Sequence, residues 1–251
     1  MSLHQTIRIR HETRRRRLTV ASIEALTPRM LRLSFGCEDL AGFVSASHDD
    51  HIKLFFPNAS DAAGKAVARD FTPRRFDVAR GTLTIDFALH ETGPATAWAA
   101  SARVGDVLEI GGPRGSSVVP DDFDWYVLIG DETALPAMGR RVEELRAGPQ
   151  ACVFAVVRDE GERLILTSAA ELTTHWLHRR ERDEDAELLI AALSSWQQPD
   201  GDGFIWIAAE ASVARSLRQY FLEQRAHPRE WIKASGYWKR GHAETHEKIE
   251  D

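Results

Sequence analysis

Cysteine is nearly absent from this chain of 251 residues, which contains only Cys37 and Cys152, far apart in the sequence. Two thiols cannot supply the four ligands of an iron–sulfur cluster, and they do not form a framework of several disulfide bonds. A redox centre in this protein would therefore have to be a bound cofactor.

Long apolar runs and an excess of basic residues are also lacking. No stretch is long enough to span a bilayer, and the first residues are polar rather than signal-like, so we expect a cytoplasmic protein with no membrane partner. Asp and Glu total 38 against 32 Lys and Arg, which leaves a net charge of −6. This balance predicts no nucleic-acid partner, and the four arginines at 14–17 are interpreted as a solvated leader.

Metal-binding and hydrolytic motifs are missing as well. His175 with His178, and His242 with His246, have helical spacing, but neither pair has a nearby cysteine or a third ligand. No serine lies in a nucleophile-elbow sequence. We therefore predict no resident metal and no hydrolase.

The pattern of apolar and polar residues changes near residues 115–124, and we predict domains at 1–119 and 120–251. The first half contains short β-rich runs whose spacing is typical of an antiparallel β-barrel. These runs lie at 18–23, 30–35, 51–56, 82–89 and 107–110. The second half alternates apolar runs with helical patterns, which favours a parallel sheet flanked by helices. Its apolar runs lie at 125–129, 152–157, 173–177 and 204–208, and its helical patterns at 136–146, 184–196 and 211–225.

Two segments carry the strongest chemical signal: Arg69-Asp70-Phe71-Thr72-Pro73-Arg74-Arg75 and His90-Glu91-Thr92-Gly93-Pro94-Ala95-Thr96-Ala97-Trp98. In a strand, Arg69 and Phe71 share one face and Thr72 the other, with a bend near Pro73. The second segment predicts a helix start at Gly93, where free backbone amides face an anion. Together the segments suit a pyrophosphate.

The Arg-x-aromatic-Thr pattern resembles the flavin-binding strand of the ferredoxin-reductase superfamily. Residues 69–77 resemble its siderophore-interacting branch, the NAD(P)H-dependent ferric-siderophore reductases. Further segments resemble that family in the same order, at 26–30, 40–43, 51–57, 112–116, 130–137 and 235–241. The resemblance implies an FAD-binding antiparallel β-barrel and a parallel-sheet NAD(P)H-binding domain whose C-terminal segment returns to the active-site side.

The resemblance also implies roles for the residues of the flavin site. Arg69 neutralises phosphate with Arg74 or Arg75 as a second cation, and Phe71 covers the flavin or its ribityl chain. Thr72, through its hydroxyl or its backbone amide, forms a hydrogen bond near the flavin N5 as the catalytic residue. The alternative is that Phe71 is core packing and the arginines form a solvated strand face. The predicted FAD contacts are Arg69, Phe71, Thr72, Arg74, His90, Gly93, Ala95, Thr96 and Trp98.

In the second domain no Gly-x-Gly-x-x-Gly is present. By resemblance, Thr133 lies nearest the nicotinamide and Glu210 makes a second nucleotide contact. The alternatives are that Thr133 caps the following helix and that Glu210 is only a favourable acid at a helix start. Arg158 and Arg179 each follow a candidate strand and either meet a 2′-phosphate or are solvated, so NADH and NADPH both remain open.

Lys53, Lys239 and Arg240 lie in segments that resemble the family's basic substrate surface, which suits anionic ferric siderophores. Lys53 alternatively points to water. Two departures from the family are Phe71, where Tyr is usual, and a 90–93 stretch that is one residue shorter.

We therefore predict a monomeric FAD-dependent ferric-siderophore reductase that takes electrons from NAD(P)H or from reduced ferredoxin. The alternatives are a general flavin or ferric-chelate reductase and a non-catalytic siderophore-binding carrier. The electron count favours a flavin, because a nicotinamide delivers two electrons as a hydride whereas each Fe(III) accepts one.

Overall fold

The computed structural model describes residues 4–60, 66–89, 93–179, 184–241 and 247–249. It divides into two compact units, which we call the β unit (residues 5–119) and the α/β unit (His4 and the residues from 120 onward). None of the helices within these ranges is long and apolar enough to cross a membrane.

The described residues of the β unit form nine strands and one helix. These are β1 (Ile7–Arg10), β2 (Arg15–Thr27), β3 (Met30–Gly36), β4 (Ile52–Ser60), β5 (Ala66–Phe71), β6 (Arg75–Asp77), β7 (Thr82–Ala88), α1 (Pro94–Ser101), β8 (Val107–Gly111) and β9 (Gly115–Val118). Seven of the strands form one antiparallel sheet in the order β5-β4-β8-β2-β3-β7-β6, while β1 pairs with β9. Alternate residues of this sheet build the core, as at Leu18, Leu33, Leu54 and Ile85. The predicted antiparallel architecture is confirmed.

The arginines at 14–17 are not a leader, so that prediction was wrong. Arg15 opens β2, and the alternation of this strand places Arg16 on the buried face with Leu18. The Arg16 guanidinium donates from Nε to the Asp39 carbonyl at 2.9 Å and from Nη2 to the Ala41 carbonyl at 3.3 Å. These carbonyls satisfy the buried cation, which is why a basic run can begin a strand.

The α/β unit alternates strands and helices along the chain. Its elements are β10 (Trp125–Gly130), α2 (Leu135–Glu144), β11 (Gln150–Val157), a 3-10 turn (Glu160–Glu162), β12 (Glu171–His178), α3 (Asp185–Ser195), β13 (Gly203–Glu210), α4 (Ala211–Glu223), a second 3-10 turn (Arg229–Trp231), β14 (Ile232–Trp238) and β15 (Glu247–Lys248). The sheet order is β12-β11-β10-β13-β14-β15, parallel throughout except for β15. The predicted parallel sheet flanked by helices is confirmed.

The strand order of this sheet reverses between β10 and β13, which are direct neighbours. In open α/β sheets the crevice outside the carboxyl ends of two such strands is the usual ligand site. Gly130 is the last residue of β10 and packs closely against the backbone of β13. An added Cβ would lie 2.1 Å from the Ala208 carbonyl oxygen. The packing therefore requires glycine at this position.

Candidate functional site

The structure brings the two predicted flavin segments together on the sheet of the β unit. The Phe71 ring of β5 lies 4.6 Å from that of Phe87 and 6.4 Å from that of Phe56. The Trp98 ring of α1 lies 6.0 and 6.1 Å from the same two rings. Strand β5 and helix α1 therefore meet over one aromatic cluster, as a ligand bound by both would require.

Thr72 follows the edge strand β5, and β6 begins at Arg75, so the strand conformation is interrupted at residues 72–74, and the bend near Pro73 stays a prediction. The Thr72 residue is only 7% exposed, yet its hydroxyl makes no hydrogen bond with the part of the chain that the structure describes. A threonine hydroxyl can donate one hydrogen bond and accept others. It is therefore available to a bound ligand.

Helix α1 begins as predicted, with Gly93 at the N-cap and Pro94 in the first turn. Gly93 has φ +148°, a conformation that favours glycine. The first turn of α1 carries no acidic residue, and the amino terminus of a helix favours an anion. His90, the other predicted contact in this segment, lies outside the described residues.

Arg69 and Arg74 differ in their surroundings. Arg69 is half-buried in the edge strand β5, and its Nη1 donates to the Ala68 carbonyl at 2.8 Å. Arg74 is buried, with its Nε 3.7 Å from Oδ2 of Asp86, a carboxylate that also forms two 2.7 Å hydrogen bonds with Arg32. This ion pair favours Arg69 over Arg74 as the phosphate ligand, and both contacts stay predictions.

The positions of Phe71 and Trp98 are compatible with both core packing and contact with a ligand. Both side chains pack against the core of the β unit, and both remain partly exposed. An aromatic ring with one buried face can support the core and cover a ligand with its other face. Together with the Thr72 hydroxyl and the α1 amino terminus, these residues fit a flavin dinucleotide.

The three predicted substrate cations are held differently. Lys53 donates to Asp70 Oδ1 at 3.0 Å, and its side chain is 44% exposed. Arg240 is exposed, with Nη2 3.8 Å from Glu184 Oε2. Lys239, in contrast, makes no ion pair with the described residues. Lys239 is half-buried, so the three cations differ in both exposure and pairing.

In the α/β unit, both predicted nucleotide contacts lie at the switch point, beside a residue that sequence reasoning missed. Asp131 directly follows β10 and is 2% exposed. It accepts hydrogen bonds from the Thr133 amide at 2.9 Å and hydroxyl at 2.5 Å, and from the Glu210 amide at 3.1 Å. Burial raises the pKa of Asp131, and the nearby Glu132 charge raises it further. An acidic residue directly after an apolar strand was the available signal.

Thr133 does not cap α2, so the capping alternative is wrong. The N-cap is Ala134, which has no side-chain capping bond, and the Thr133 hydroxyl donates to Asp131 instead. Glu210 does cap α4, accepting hydrogen bonds from the Ser212 amide at 2.6 Å and the Val213 amide at 3.3 Å. Burial works to raise the pKa of Glu210, but hydrogen bonds from the Ser212 hydroxyl, the Arg240 amide and the two α4 amides outweigh it and hold the pKa low. The Glu210 carboxylate thus has the alternative role, that of an acid at a helix start. A contact between Glu210 and the nucleotide stays a prediction.

The two arginines considered for a 2′-phosphate differ in their ion pairs. Arg179 forms paired hydrogen bonds with Glu132 at 2.7 and 3.0 Å and with Asp185 at 2.7 and 2.8 Å. Burial works to lower the pKa of Arg179, but these carboxylates outweigh it and raise the pKa. Arg158 is exposed at the carboxyl end of β11 and has no ion pair among the described residues. Arg158 is therefore the better placed of the two for a phosphate.

Neither histidine pair from the sequence forms part of a described metal centre. His175 stacks on Phe154 with ring centroids 4.4 Å apart, and burial lowers its pKa. His178 Nε2 lies 3.7 Å from Glu160. His242 and His246 lie outside the described residues. Across the ranges that are described, no group of three His, Cys, Asp or Glu side chains is arranged to hold a metal.

Comparison with known proteins places this geometry in a family. A model of the siderophore-interacting FAD-binding domain matches residues 19–65 and 60–117, and a model of the siderophore-interacting protein matches 123–241. The NADPH-dependent ferric-chelate reductase of Escherichia coli K12 is 34% identical over 249 residues, which cover 92% of this chain and 95% of that protein. The ferric vibriobactin reductase ViuB of Vibrio cholerae O395 is 27% identical over 86% of each chain.

Among solved structures, a siderophore utilization protein from T. fusca superposes with a TM-score of 0.88 at 36% identity, over 95% of this chain and 98% of that one. The matched segments together span both units. The chain therefore belongs to the siderophore-interacting protein family and carries its FAD-binding domain.

Proposed function

We propose that this protein is an FAD-dependent ferric-siderophore reductase, which takes electrons from NADPH or NADH and releases iron as Fe(II). One observation carries the proposal. The domain that matches the family's FAD-binding model contains Thr72, whose hydroxyl has no hydrogen-bond partner among the described residues, next to a strand that meets helix α1 over one aromatic cluster. The names of the E. coli and V. cholerae relatives support the reaction.

The residues of the β unit bind and orient the flavin. When bound, FAD accepts a hydride from the nicotinamide and gives up electrons one at a time, as Fe(III) requires. Arg69 and the amides of Ala95 and Thr96 neutralise the pyrophosphate. Phe71 and Trp98 would cover apolar surface of the flavin, and the Thr72 hydroxyl would supply a hydrogen bond near its N5.

The α/β unit binds the electron donor at the switch point. Thr133 presents its side chain to the nicotinamide, with its hydroxyl direction fixed by the 2.5 Å bond to Asp131. Arg158 binds the 2′-phosphate of NADPH. Glu210 maintains the amino terminus of α4 at the edge of the same crevice.

Lys239, Arg240 and Lys53 attract the anionic ferric siderophore without enclosing it. Siderophore oxygens are hard ligands that hold Fe(III) far better than Fe(II), so reduction itself releases the metal. The iron is substrate, and the chain needs no resident iron site. The protein acts as a monomer in the cytoplasm, and reduced ferredoxin is an alternative donor; sedimentation and cell fractionation test the first two points.

The deciding experiment is an anaerobic assay with a ferrous-iron trap, using FAD-loaded protein, a ferric siderophore and in turn NADPH, NADH and reduced ferredoxin. Fe(II) formation with at least one donor is expected. A protein that binds the chelate but forms no Fe(II) with any donor is a carrier, which overturns the proposal. Equal kcat/KM for a siderophore and for ferric citrate indicates a general ferric-chelate reductase instead.

A Thr72→Val variant tests the flavin assignment within the same assay. Loss of a hydrogen bond near N5 should shift the flavin reduction potential and lower kcat about tenfold, while FAD remains bound. Thr82→Val, an exposed threonine of β7, is the matched control and should behave as wild type. A potential and kcat that Thr72→Val leaves unchanged would contradict the role of Thr72.

A further inference from the structure

The Asp131 carboxylate is the meeting point of three segments of the α/β unit. Its Oδ1 accepts from the amide and hydroxyl of Thr133, and its Oδ2 accepts from the Glu210 amide at 3.1 Å and the Trp238 indole Nε1 at 2.8 Å. Each oxygen thus has two donors. The donors come from the turn after β10, the end of β13 and the end of β14.

Two of these segments carry residues with different tasks in the proposed reaction. Thr133 is the predicted nicotinamide contact. Trp238 is the last residue of β14 and immediately precedes Lys239 and Arg240, the predicted contacts for the ferric chelate. The Arg240 amide in turn donates to Glu210 Oε1 at 3.3 Å, so the Lys239 and Arg240 segment is held at both of its ends.

The chemistry of this arrangement requires a carboxylate. A buried carboxylate is costly unless its lone pairs are satisfied, and here four donors satisfy them. Asparagine has nearly the same shape, but its amide nitrogen would face at least one N–H donor whichever way it turned. No other side chain of similar size accepts on both sides.

We propose that Asp131 is a positioning residue that fixes, through one carboxylate, both the Thr133 hydroxyl and the Lys239 and Arg240 segment. The proposal rests on the proposed function, since it assigns the two segments to electron donor and ferric chelate. Asp131 is 2% exposed, so its role in this proposal is positioning and not ligand contact. It acts by linking two contact regions that the sequence separates by more than one hundred residues.

The kinetic test distinguishes the contact of Asp131 with Trp238 from its contact with Thr133. Trp238→Phe removes only the indole donor and should raise the KM for the ferric siderophore about tenfold, with the KM for NADPH unchanged. Thr133→Val removes only the hydroxyl and should alter kcat or KM for NADPH, with the KM for the chelate unchanged. Asp131→Asn should change both. Trp196→Phe and Thr174→Val, which lie outside the switch point, are the matched controls.

Limited proteolysis gives a second readout that does not depend on activity. Trypsin cleaves after Lys239 and Arg240, so fragments that begin at Arg240 or Gly241 report how firmly this segment is held. With and without FAD, cleavage should be several-fold faster in Trp238→Phe and Asp131→Asn than in wild type, and unchanged in Thr133→Val and Trp196→Phe. If Asp131→Asn does not fold, Trp238→Phe alone decides.

The outcomes separate this inference from the proposed function. Wild-type protein without Fe(II) formation refutes the reductase, yet the proteolysis comparison still decides whether Asp131 holds the segment. An active wild type whose Trp238→Phe variant shows unchanged cleavage and an unchanged chelate KM overturns the inference. Equal rises of both KM values in Trp238→Phe and Thr133→Val also overturn it, because they indicate general loosening of the unit.

Discussion

Lys53 of β4 and Asp70 of β5 are direct cross-strand partners, and the Lys53 ammonium lies 3.0 Å from Asp70 Oδ1. One residue beyond Asp70 is Phe71, so the ion pair borders the flavin segment. An anionic chelate that binds Lys53 must compete with this carboxylate. Asp70 therefore competes with an anionic substrate for Lys53, which the sequence alone did not reveal.

Asp70→Asn should therefore improve binding of anionic chelates. Exposed ion pairs of this kind contribute little energy, so the KM for a ferric siderophore should fall about two- to fivefold at low salt and approach the wild-type value at high salt. Steady-state kinetics at two ionic strengths measure the change. Asp77→Asn, in the same unit and paired with Arg80, is the control. A KM that is unchanged or raised at low salt would show that Lys53 takes no part in attraction.

Arg69→Ala should weaken FAD retention. Loss of one charge-assisted hydrogen bond to a phosphate lowers affinity by about 10- to 100-fold. Titration of the apo-protein with FAD, followed by flavin fluorescence, measures the Kd. Arg103→Ala, an exposed arginine of the same unit, should leave the Kd unchanged. Equal affinities in wild type and Arg69→Ala would refute the pyrophosphate assignment.

Arg158→Ala should separate the two nicotinamide donors. Arg158 is exposed after β11, whereas Arg179 is held by Glu132 and Asp185. The KM for NADPH should rise about tenfold, since a phosphate contact is lost, and the KM for NADH should not change. NADH, which lacks the 2′-phosphate, serves as the control. A parallel rise in both KM values would place Arg158 at a part of the nucleotide common to both donors.

His4 forms a pH-dependent contact inside the α/β unit. Its side chain is 5% exposed, with Nδ1 2.7 Å from Asp122 and Nε2 3.1 Å from Asp202, and its ring stacks on Phe123 at 4.0 Å. Burial works to lower the pKa of His4, but the hydrogen bonds to both aspartates outweigh it and raise the pKa. A protonated ring donates to both carboxylates at once.

His4→Gln should lower the Tm most at acidic pH. A raised pKa means that the protonated ring stabilises the folded state below the unfolded pKa of about 6.5, and that this contribution is lost as pH rises through the higher folded pKa. We expect a Tm difference of about 3–6 °C at pH 6, shrinking by pH 9. Calorimetry of wild type and variant across this range measures it. A difference that grows with pH would contradict the assignment, and Asp202→Asn should reproduce part of the effect.

The comparison of sequence and structure is clearest at particular elements. The runs at 18–23 and 204–208 lie within β2 and β13, because a strand with one or two buried faces must repeat apolar residues in a recognisable pattern. The arginines at 14–17 misled the analysis, since a buried guanidinium is satisfied by distant carbonyls that no local pattern announces. Strand β14 was also missed, since its Gly236 and Ser235 dilute the β-rich pattern.

By itself, the sequence determined the two-part organisation, the antiparallel and parallel sheets, the helix start at Gly93 and the resemblance to flavin reductases. These follow from local periodicity, capping and motif order, which need only neighbouring residues. Tertiary structure alone decided which charged groups are available. It paired Lys53 with Asp70 and Arg74 with Asp86, left the Thr72 hydroxyl and Lys239 without such partners among the described residues, and gathered Thr133, Glu210 and Trp238 around Asp131. Hydrogen bonds and ion pairs join groups distant in the chain, so only the folded arrangement fixes them.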